Sequence, residues 1–565
     1  MSSDRLGVAH TLEQIADYSE LREDNPFRVR AFRNAAKTVL ALPGSVEAAL
    51  ADGSLARTRG IGPATLAIVT DLLEHGRSEV LEQLKREIPP GLLEMLDLPG
   101  LGASRIKLIH EQLGVRSIAE LEAAAKDGRL AALPRFGEKT AARILKGIVF
   151  TRGAQAFRLW TEAAREAEVL RTSLGAVAGV TRVVTAGEVR RRCEVVGPLD
   201  FAVETDLLPE ALGDAIAALP GLERVALPGR GLGFSSPAGT LVRVHHAPGA
   251  RFGGILALAT GSAPHLAELE AVAAQRGGSL DSIAAADESA WYAALGLAEI
   301  PAELREGGDE VERAATQRLP RLVERAQLRG FLHCHTTYSD GSFGIAELAR
   351  LCQAAGYSWL GVTDHSRSAA YAGGMSVEQV ERQWAELAAA ALEHPDLRLL
   401  KGVESDILVD GALDYDAALL AGFDFVIGSV HGRFSLGESE MTARLLRALD
   451  NPYLTILGHP TGRLLLSREP YRFDLDAVFR KAAANHVALE INGDPHRLDL
   501  DWRLVRRALE LGVRFSLGAD AHGVSDMVYM EYATAIARKA GLESGDVLNT
   551  LDADAFLAYA RARRS

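Results

Sequence analysis

The sequence predicts a multidomain α/β protein with helical domains at its N-terminal end and a parallel β/α domain at its C-terminal end. Two observations carry this prediction. Within residues 328–565, seven short apolar runs each end on a cluster of His, Asp or Glu, as in LRGFLHCH, WLGVTDH and VRFSLGADAH. Within residues 55–150, three segments read as a helix, a glycine-containing turn and a second helix. At 565 residues the chain is long enough for several units with buried cores.

The seven apolar runs indicate one site assembled from seven strand ends, because parallel β/α folds place their chemistry at the carboxyl ends of strands. One zinc ion usually takes four ligands, so a larger set suits two or three divalent ions bridged by a carboxylate, here Glu404. We expect manganese because oxygen and imidazole ligands are mixed, and zinc or iron are the alternatives. The nine candidate ligands are His333, His335, Asp340, His365, Glu404, His431, His459, Asp520 and His522.

The region that holds these runs resembles the PHP (polymerase and histidinol phosphatase) domain. The resemblance rests on the motifs HCHTTYSDG, TDHS, GVES, GSVHG, GHPTGRLL and GADAHG. It implies a distorted seven-stranded β/α barrel whose trinuclear metal centre hydrolyses phosphoesters. Asp364 would hold an ion or orient a ligand, and His522 would ligate an ion or donate a proton beside Asp520. Arg463 and Arg497 are expected to meet the substrate phosphate.

Composition limits the remaining classes. The N-terminus lacks a charged-then-apolar signal, and no run of eighteen apolar residues occurs, so we expect a cytoplasmic monomer without a membrane partner. The three cysteines, Cys193, Cys334 and Cys352, show neither metal-type nor disulfide-type spacing. The net charge of -13 weakens a nucleic-acid-binding interpretation without excluding it, because net charge averages over domains.

The three helical segments predict helix-hairpin-helix turns. Such turns expose backbone N–H groups at the start of the second helix, and these groups can bind a DNA phosphate without reading sequence. The partner predicted from this repetition is DNA, bound independently of sequence. If the barrel hydrolyses phosphodiesters of this DNA, gapped or 3′-ended strands are the expected substrates. The residues expected at the contacts are Gly60, Gly62, Gly100, Gly102, Gly137 and Lys139.

The order of these pieces resembles that of a bacterial family X DNA polymerase. The stretches NPFRVRAFRNAA, ATGSAPHLAELE and DESAWYAALGLAEIPAELRE carry the likeness. It implies an α+β nucleotidyltransferase-like palm and a thumb between the helical domains and the barrel. The expected division begins with a small helical DNA-binding domain (1–88), a fingers-like domain (89–152) and a degenerate palm (153–250). A thumb (251–310), a linker (311–327) and the PHP phosphoesterase domain (328–565) follow.

The predicted palm departs from that family where catalysis needs it most. A family X polymerase uses a G-D-x-D carboxylate pair and a third Asp to hold two magnesium ions. Here Pro198 replaces the first carboxylate and His245 replaces the third, so only Asp200 remains of the three. We therefore predict that templated polymerisation is lost.

Other palm positions change in the same direction. Glu188 stands where a small hydroxyl would face a triphosphate, and Leu258 and Ala259 replace an aromatic pair that contacts the incoming sugar. Arg190 and Arg191 persist and are expected to hold DNA. The helical domain also lacks the lysine expected for a lyase at GPATLAIVTDLLEHG.

The sequence thus predicts a DNA-binding, metal-dependent phosphodiesterase, a 3′–5′ exonuclease or 3′-end-processing enzyme of DNA repair. Its catalytic residues would be Glu404, Asp364, His522 and Arg463. Three alternatives remain open at this point: a family X polymerase with residual gap-filling activity, a phosphatase for a small phosphomonoester, and a DNA-binding protein without catalysis.

Overall fold

The computed structural model divides the chain into two compact units, residues 1–156 and 157–565. In the part that it describes, no helix is long and apolar enough to cross a lipid bilayer. The described residues are 5–40, 42, 45–58, 60–96, 98, 101–154, 156–227, 229 and 231–564.

The first unit is helical and has two apolar cores. One core contains Phe32 and Val69, and the other contains Ile106 and Ile144. Serine side chains cap several of the helices, as Ser78 does where its hydroxyl accepts from the Leu81 N–H. The helices are α1 (Arg5–Leu21), α2 (Pro26–Leu40), α3 (Val46–Ala51), α4 (Ser54–Arg57), α5 (Pro63–His75), α6 (Glu79–Glu87), α7 (Ala103–Leu113), α8 (Ile118–Lys126) and α9 (Gly137–Ala154).

The second unit begins with seven strands, five of which form one mixed sheet. The strands β1 to β7 are Arg158–Leu159, Val180–Thr185, Val195–Val196, Leu199–Thr205, Glu223–Val225, Leu232–Ser235 and Leu241–Ala247. The sheet order is β2-β4-β7-β6-β5, in which only β4 and β7 run parallel, and β1 pairs separately with β3. The helices of this segment are α10 (Trp160–Gly175), α11 (Gly187–Arg190) and α12 (Pro209–Ala217).

Four helices follow the mixed sheet and share a core around Trp291 and Tyr292. They are α13 (Phe252–Thr260), α14 (Ala263–Gln275), α15 (Glu288–Ala294) and α16 (Glu310–Ala315). The prediction of a linker over residues 311–327 is wrong at its start, because α16 buries Val311 and Ala314 in this core. The apolar face of the helix overrides the charged, alanine-rich composition that suggested a linker.

The rest of the chain alternates strands with helices. Strands β8 to β15 are Gly330–Phe331, Trp359–Val362, Arg398–Lys401, Glu404–Asp406, Val426–Ser429, Leu454–Leu457, Ala488–Asn492 and Phe515–Gly518. Helices α17 to α24 are Ile345–Ala354, Val377–Glu393, Ala417–Leu420, Glu438–Asp450, Leu475–Ala484, Trp502–Glu510, Tyr529–Lys539 and Ala553–Arg561. Every paired strand is parallel to its neighbour, in the orders β10-β9-β8 and β11-β12-β13-β14-β15.

Backbone hydrogen bonds join these two sheets at both edges. Only residues 402 and 403 separate β10 from β11, so the two occupy one strand position. On one side of it Gly402 N–H donates to Val362 O of β9 at 3.0 Å, and on the other side Ile427 N–H of β12 donates to Val403 O at 3.0 Å. At the second edge, Ala519 N–H donates to Leu332 O at 3.1 Å, and His335 N–H donates to Ala521 O at 2.9 Å. With β10 and β11 counted as one, the eight strands occupy seven positions that follow one another in a ring, and their carboxyl ends meet at one face.

Candidate metal centre

The carboxyl ends of the ring strands bring the sequence-predicted ligands into one cluster. His333 and His335 follow β8, and Glu404 opens β11. The other ligands follow β9, β12, β13 and β15, and Asp340 reaches the cluster from the loop after His335. Short apolar strands buried on both faces carry these loops, which keeps the ligands in place.

The Glu404 carboxylate lies at the centre of the cluster and is 1% exposed. Its Oε1 is 3.0 Å from His459 Nε2 and 3.2 Å from His431 Nε2. The same oxygen is 3.3 Å from His333 Nε2, while Oε2 is 2.9 Å from His365 Nδ1. A carboxylate that faces four imidazoles in this way has the geometry of a bridge between ions.

The ligand atoms form four groups, in each of which all the atoms lie within 4.8 Å of one another. His333, His335, His365 and Glu404 each belong to two groups, so the groups share ligands. Together they contain all nine predicted ligands and suit two or three ions with common ligands. The groups are His335, Asp340, His365 and His522; His333, Glu404 and His459; His333, His335 and Asp520; and His365, Glu404 and His431.

Unpartnered buried atoms show that the cluster fits divalent ions. His333 Nε2, His335 Nδ1, His365 Nδ1, His459 Nδ1 and Glu404 Oε2 are all inaccessible to water and make no hydrogen bond. A buried polar atom without a partner is costly, and a metal ion would satisfy several of these atoms at once. Imidazole nitrogens and carboxylate oxygens are ligands that manganese, zinc and iron all accept.

Charges within the cluster set the protonation of its members. Burial would raise the pKa of the Glu404 carboxyl, but the facing imidazoles of His431 and His333 hold it well below its usual range. Burial and the nearby rings of His365 and His522 lower the pKa of His335 to about 3. Near neutral pH, Glu404 is therefore ionised and His335 is neutral, and these are the forms that bind metal.

Three ligands have left-handed backbone conformations that side chains rarely adopt. The φ angles are +56° at His333, +24° at His459 and +50° at Asp520. Such conformations cost free energy and persist where the surrounding structure enforces them, most often at functional sites. Here they turn side chains at strand ends inward to the shared cluster.

Three residues that sequence reasoning did not select hold the ligands in place. The Glu490 carboxylate contacts His333 Nδ1 and accepts the His459 N–H at 2.7 Å. Asp406 Oδ1 lies 2.6 Å from His431 Nδ1, and Asn492 donates to Asp520 Oδ2 at 3.0 Å. The run VALEIN carried a signal, because Glu490 is a charged residue inside a fully buried strand.

Of the two roles predicted for Asp364, its contacts favour the one that orients a ligand. Its two oxygens accept hydrogen bonds from the Thr336 N–H and hydroxyl, both at 2.7 Å, and from Ser339 and Gln383. It belongs to none of the ligand groups. Asp364 therefore positions the loop that carries His335 and Asp340, and its own oxygens are already satisfied.

The prediction that Arg463 meets substrate needs correction. Its guanidinium donates to the carbonyl of Arg497 at 2.9 Å and to Asp501 at 2.8 Å, and it contacts the carbonyl of Leu498. Its remaining contact is with Glu194, 3.4 Å away in the segment that follows α11. With its donors used, Arg463 fastens the barrel to the mixed-sheet segment instead of facing a ligand.

Arg497 is better placed to meet an anion. Its Nε lies 3.6 Å from Asp520 Oδ2 and 3.7 Å from Asp494 Oδ2, and this buried atom makes no hydrogen bond. The guanidinium thus brings positive charge to the edge of the ligand cluster, where Asp520 and Asp494 are its neighbours. Phosphate oxygens are suitable acceptors for such a donor.

The residual polymerase position in the mixed sheet is occupied by the protein's own charges. Asp200 is 1% exposed, and its Oδ2 accepts from Arg243 Nη2 at 2.6 Å. Its Oδ1 lies 3.1 Å from His245 Nε2. Pro198 immediately precedes β4, and His245 lies on the parallel neighbour β7. Asp200 is therefore paired with neighbouring cationic and imidazole groups.

Other sequence-selected residues nearby are also engaged within the protein. Glu188 Oε2 accepts the Gly197 N–H at 2.7 Å. Leu258 and Ala259 lie on α13, where Ala259 packs against Phe252. The bond to Gly197 means that Glu188 stabilises the turn before β4.

The DNA contacts of Arg190 and Arg191 stay a prediction, and in the structure both side chains are paired within the protein. Arg190 is paired with Glu288 through two bonds of 2.8 and 2.5 Å, and it also donates to Thr260. Arg191 is 8% exposed and donates to Glu306 Oε1 at 2.9 Å. Both arginines face the acidic residues of the helical segment after the sheet, which a sequence alone does not place opposite them.

The N-terminal unit contains the predicted turns. Gly60 has a φ of +98°, and Gly62 caps α5 with its N–H bonded to Thr65 Oγ1 at 2.9 Å. Gly102 caps α7, and a Cβ added to Gly62 or to Gly102 would meet no atom within 4 Å. Gly137, with a φ of +67°, begins α9.

The remaining DNA-contact predictions have different outcomes. Lys139 is exposed near the start of α9, and Gly100 lies outside the described residues. Close to α7, the Glu23 carboxylate accepts from Ser104 Oγ at 2.9 Å and pairs with Lys107 at 2.7 Å. The carboxylate of Glu23 therefore lies beside the first turn of α7.

Comparison with known families agrees with this organisation. The profile described as a helix-hairpin-helix domain matches residues 5–78, and the SAM-like helix-hairpin-helix tandem matches residues 92–148. The profile described as a PHP domain matches residues 332–493. The chain is thus a multidomain protein that joins helix-hairpin-helix domains to a PHP domain.

Similarity to one relative extends over almost the whole chain. The DNA polymerase/3′-5′ exonuclease PolX of Bacillus subtilis (strain 168) is 34% identical over 568 residues, which cover 97% of this chain and 98% of that protein. The chain belongs to the bacterial family X DNA polymerases that carry a C-terminal PHP domain. The family predicted from the sequence is confirmed.

Other relatives match the barrel region alone. A probable phosphatase of Thermoanaerobacter sp. (strain X514) is 27% identical over 231 residues, which cover 39% of this chain and 89% of that protein. A probable phosphatase of Aliivibrio fischeri is 29% identical over 235 residues, with coverage of 39% and 88%. The barrel thus also occurs in relatives without the N-terminal segments.

Proposed function

We propose that this chain is a DNA-binding, metal-dependent phosphodiesterase that removes nucleotides from 3′ ends or processes blocked 3′ termini in base-excision or gap repair. One contrast carries the proposal. The Glu404 cluster presents several buried ligand atoms without partners, whereas Asp200 of the polymerase position is paired with Arg243 and His245. A reaction centre needs available ligands, and only the first of these places offers them.

The ions would be held by the nine ligands of the cluster, with Glu404 between them. When bound, divalent ions lower the pKa of a coordinated water and stabilise negative charge on phosphate oxygens. Manganese is the proposed ion because the ligand set mixes imidazole nitrogens and carboxylate oxygens, with zinc or iron as alternatives.

The chain's own residues would orient the substrate. Arg497 lies at the edge of the cluster, 3.6 Å from Asp520, and its guanidinium would attract a non-bridging phosphate oxygen. His522 is 37% exposed, and its Nδ1 lies 2.8 Å from the Asp520 carbonyl, so Nε2 faces the site. That position suits either a ligand or a donor to the leaving oxygen.

The proposed reaction breaks the P–O3′ bond next to the terminal nucleotide. The oxygen of a water molecule joins the phosphorus, and a 5′-mononucleotide is released. The leaving 3′ oxygen takes a proton and remains on the shortened strand as a hydroxyl. Atoms and charge balance without any further reactant.

The helical unit would supply sequence-independent grip on the DNA backbone. The space in front of Gly62 and Gly102 allows a phosphate to approach the first turns of α5 and α7. Lys139 would add positive charge at α9. Binding of this kind presents a 3′ end without selecting its sequence.

Two competing functions have specific support. The PHP-only relatives carry the name of probable phosphatases, which favours a small phosphomonoester as substrate. The B. subtilis relative carries the name of a 3′-5′ exonuclease and also that of a DNA polymerase, and the second part favours residual gap filling. Arg243 argues against the second function, because its guanidinium at Asp200 occupies the place of a cation.

One set of assays tests the proposal. Protein purified without added metal is analysed for bound elements and then incubated with 5′-labelled single-stranded and gapped DNA. Stepwise shortening from the 3′ end is the expected result, and it should be abolished by the double substitution His333→Ala/His335→Ala. Release of phosphate from small esters without DNA shortening would establish the phosphatase instead, and primer extension would establish the polymerase.

A further inference from the structure

An aromatic ring stands beside the metal-ligand cluster without being part of it. Tyr371 is 71% exposed. Its ring centroid lies 6.2 Å from that of His365 and 6.1 Å from that of His431, with the ring planes inclined by 60° and 72°. A large ring this exposed has gained little from burial, so its position beside two ligands calls for a different explanation.

The loop that carries Tyr371 is firmly connected to the barrel. The Ser368 N–H and hydroxyl both bond to the Asp414 carboxylate at 2.5 Å. The Met375 N–H donates to His365 O at 2.9 Å and closes the loop at its base. A Cβ on Gly374 would come within 2.0 Å of Ser366 O, so the two ends of the loop are in close contact. The ring is therefore presented from a fixed support.

Positive charge lies near the same cluster. Arg497 has a buried Nε without a hydrogen bond, 3.6 Å from Asp520. The cluster thus has positive charge near it and, beside His365 and His431, an exposed flat ring. A nucleotide carries a phosphate and a base one sugar apart, and bases stack readily on exposed aromatic side chains.

We propose that Tyr371 is the stacking platform for the base of the 3′-terminal nucleotide, and that it makes the site selective for termini that carry a base. This inference rests on the proposed nuclease function. The ring recognises the face that every base possesses, so the selectivity is for the presence of a base and not for its identity. Tyr371 is a specificity-determining residue, because it contacts the substrate away from the bond that breaks.

The test compares two 5′-labelled strands that differ only at the 3′ end. One ends in an ordinary nucleotide, and the other ends in a tetrahydrofuran residue that lacks a base. For Tyr371→Ala, removal of the ordinary terminal nucleotide should slow about ten-fold, the loss expected for one stacked base. Removal of the tetrahydrofuran residue should proceed as in the unaltered protein, because there is no base to stack.

Two variants serve as controls. Tyr371→Phe keeps the ring and should behave as the unaltered protein does on both strands. Leu392→Ala removes another exposed apolar side chain, 84% exposed on α18, and should also change neither rate. Equal slowing of Tyr371→Ala on both strands, absence of slowing, or a Phe variant as slow as the Ala variant would each overturn the inference.

A second readout separates this inference from the proposed nuclease activity. A strand with 2-aminopurine at its 3′ end is mixed with the protein in excess chelator, so that no hydrolysis occurs. Quenching by the unaltered protein and by Tyr371→Phe, but not by Tyr371→Ala, would support stacking even if the nuclease assays failed. Equal quenching by all three proteins would reject it.

Discussion

Arg243 Nη2 lies 2.6 Å from Asp200 Oδ2, so the one remaining carboxylate of the polymerase position is paired with an arginine from the neighbouring strand. Asp200 is almost fully buried, and β4 and β7 hold the two residues opposite each other in parallel register. A buried ion pair of this kind is costly to break from one side. The position is therefore filled by the protein itself.

Restoring the missing carboxylates is not expected to restore polymerisation. In Pro198→Asp/His245→Asp, Arg243 would still neutralise Asp200, and Glu188 would still bond to the Gly197 N–H. We expect no primer extension with magnesium or manganese. The control is the nuclease activity of the same variant, which should be unchanged. Extension by the double variant would show that Arg243 yields to a metal ion.

Loss of the Glu404 charge should remove metal and activity together. Glu404→Gln keeps the volume of the side chain but weakens the contacts to His333, His431 and His459. Nuclease activity should fall by at least about 100-fold, since even residues behind the ligands contribute 10–100-fold. Bound metal is measured by elemental analysis, and DNA affinity should be retained. Glu393→Gln, on the exposed end of α18, is the matched control.

Glu490 should act through the ligands that it supports. Glu490→Gln would weaken the contact with His333 Nδ1 and the acceptance of the His459 N–H. We expect metal affinity to fall about 10–100-fold, with activity recovered at high metal concentration. Metal titrations followed by activity provide the measurement. A loss that added metal does not reverse would instead indicate a direct catalytic part.

The glycines at the helical turns offer a test of DNA binding that leaves the fold intact. In Gly62→Leu or Gly102→Leu the new Cβ would meet no atom within 4 Å, but the leucine side chain would block the approach of a phosphate. DNA affinity should fall about ten-fold for each lost phosphate contact, equally for unrelated sequences. Gly153→Leu on α9 also has open space at its Cβ and should bind normally. Fluorescence anisotropy with labelled DNA measures the difference.

A buried carboxylate predicts a pH-dependent part of the stability. Burial would raise the pKa of Glu310, but hydrogen bonds from His265 and from the Gly307 and Gly308 N–H groups lower it to about 2. Because the folded-state pKa is below the ordinary value of 4.5, the stabilisation is complete above pH 4.5 and is lost as the pH falls toward 2.

Glu310→Gln should therefore lower the free energy of unfolding at neutral pH, by on the order of 3 kcal/mol. The difference from the unaltered protein should shrink as the pH falls below 4.5, which denaturant titrations at several pH values would reveal. Glu312→Gln on the same helix is the control, because Glu312 is 74% exposed and pairs only at the surface with Arg318. A pH-independent difference would contradict this account.

The metal ligands could be predicted from the sequence because most of them lie at the ends of strands that are recognisable as apolar runs. His333, Glu404 and His459 follow or open buried apolar runs, so the convergence of strand ends predicted their proximity. Glu490 was missed because it lies inside such a run, and its role depends on a ring 157 residues away in sequence, that of His333.

Arginines were the least predictable residues. Arg190 and Arg191 were expected at DNA, yet they face Glu288 and Glu306, which come about a hundred residues later. Arg463 was expected at substrate, and its guanidinium is enclosed by backbone carbonyls and Asp501. A long cationic side chain has similar chemistry in both settings, so only the tertiary structure decides between them.

Lys539 connects the barrel of this chain to the segment that precedes it. It is 0% exposed on α23, and its ammonium donates to the Arg191 carbonyl at 3.0 Å and pairs with Glu306, both in the earlier segment. A fragment that starts at residue 328 would leave this cation without its counter-charge.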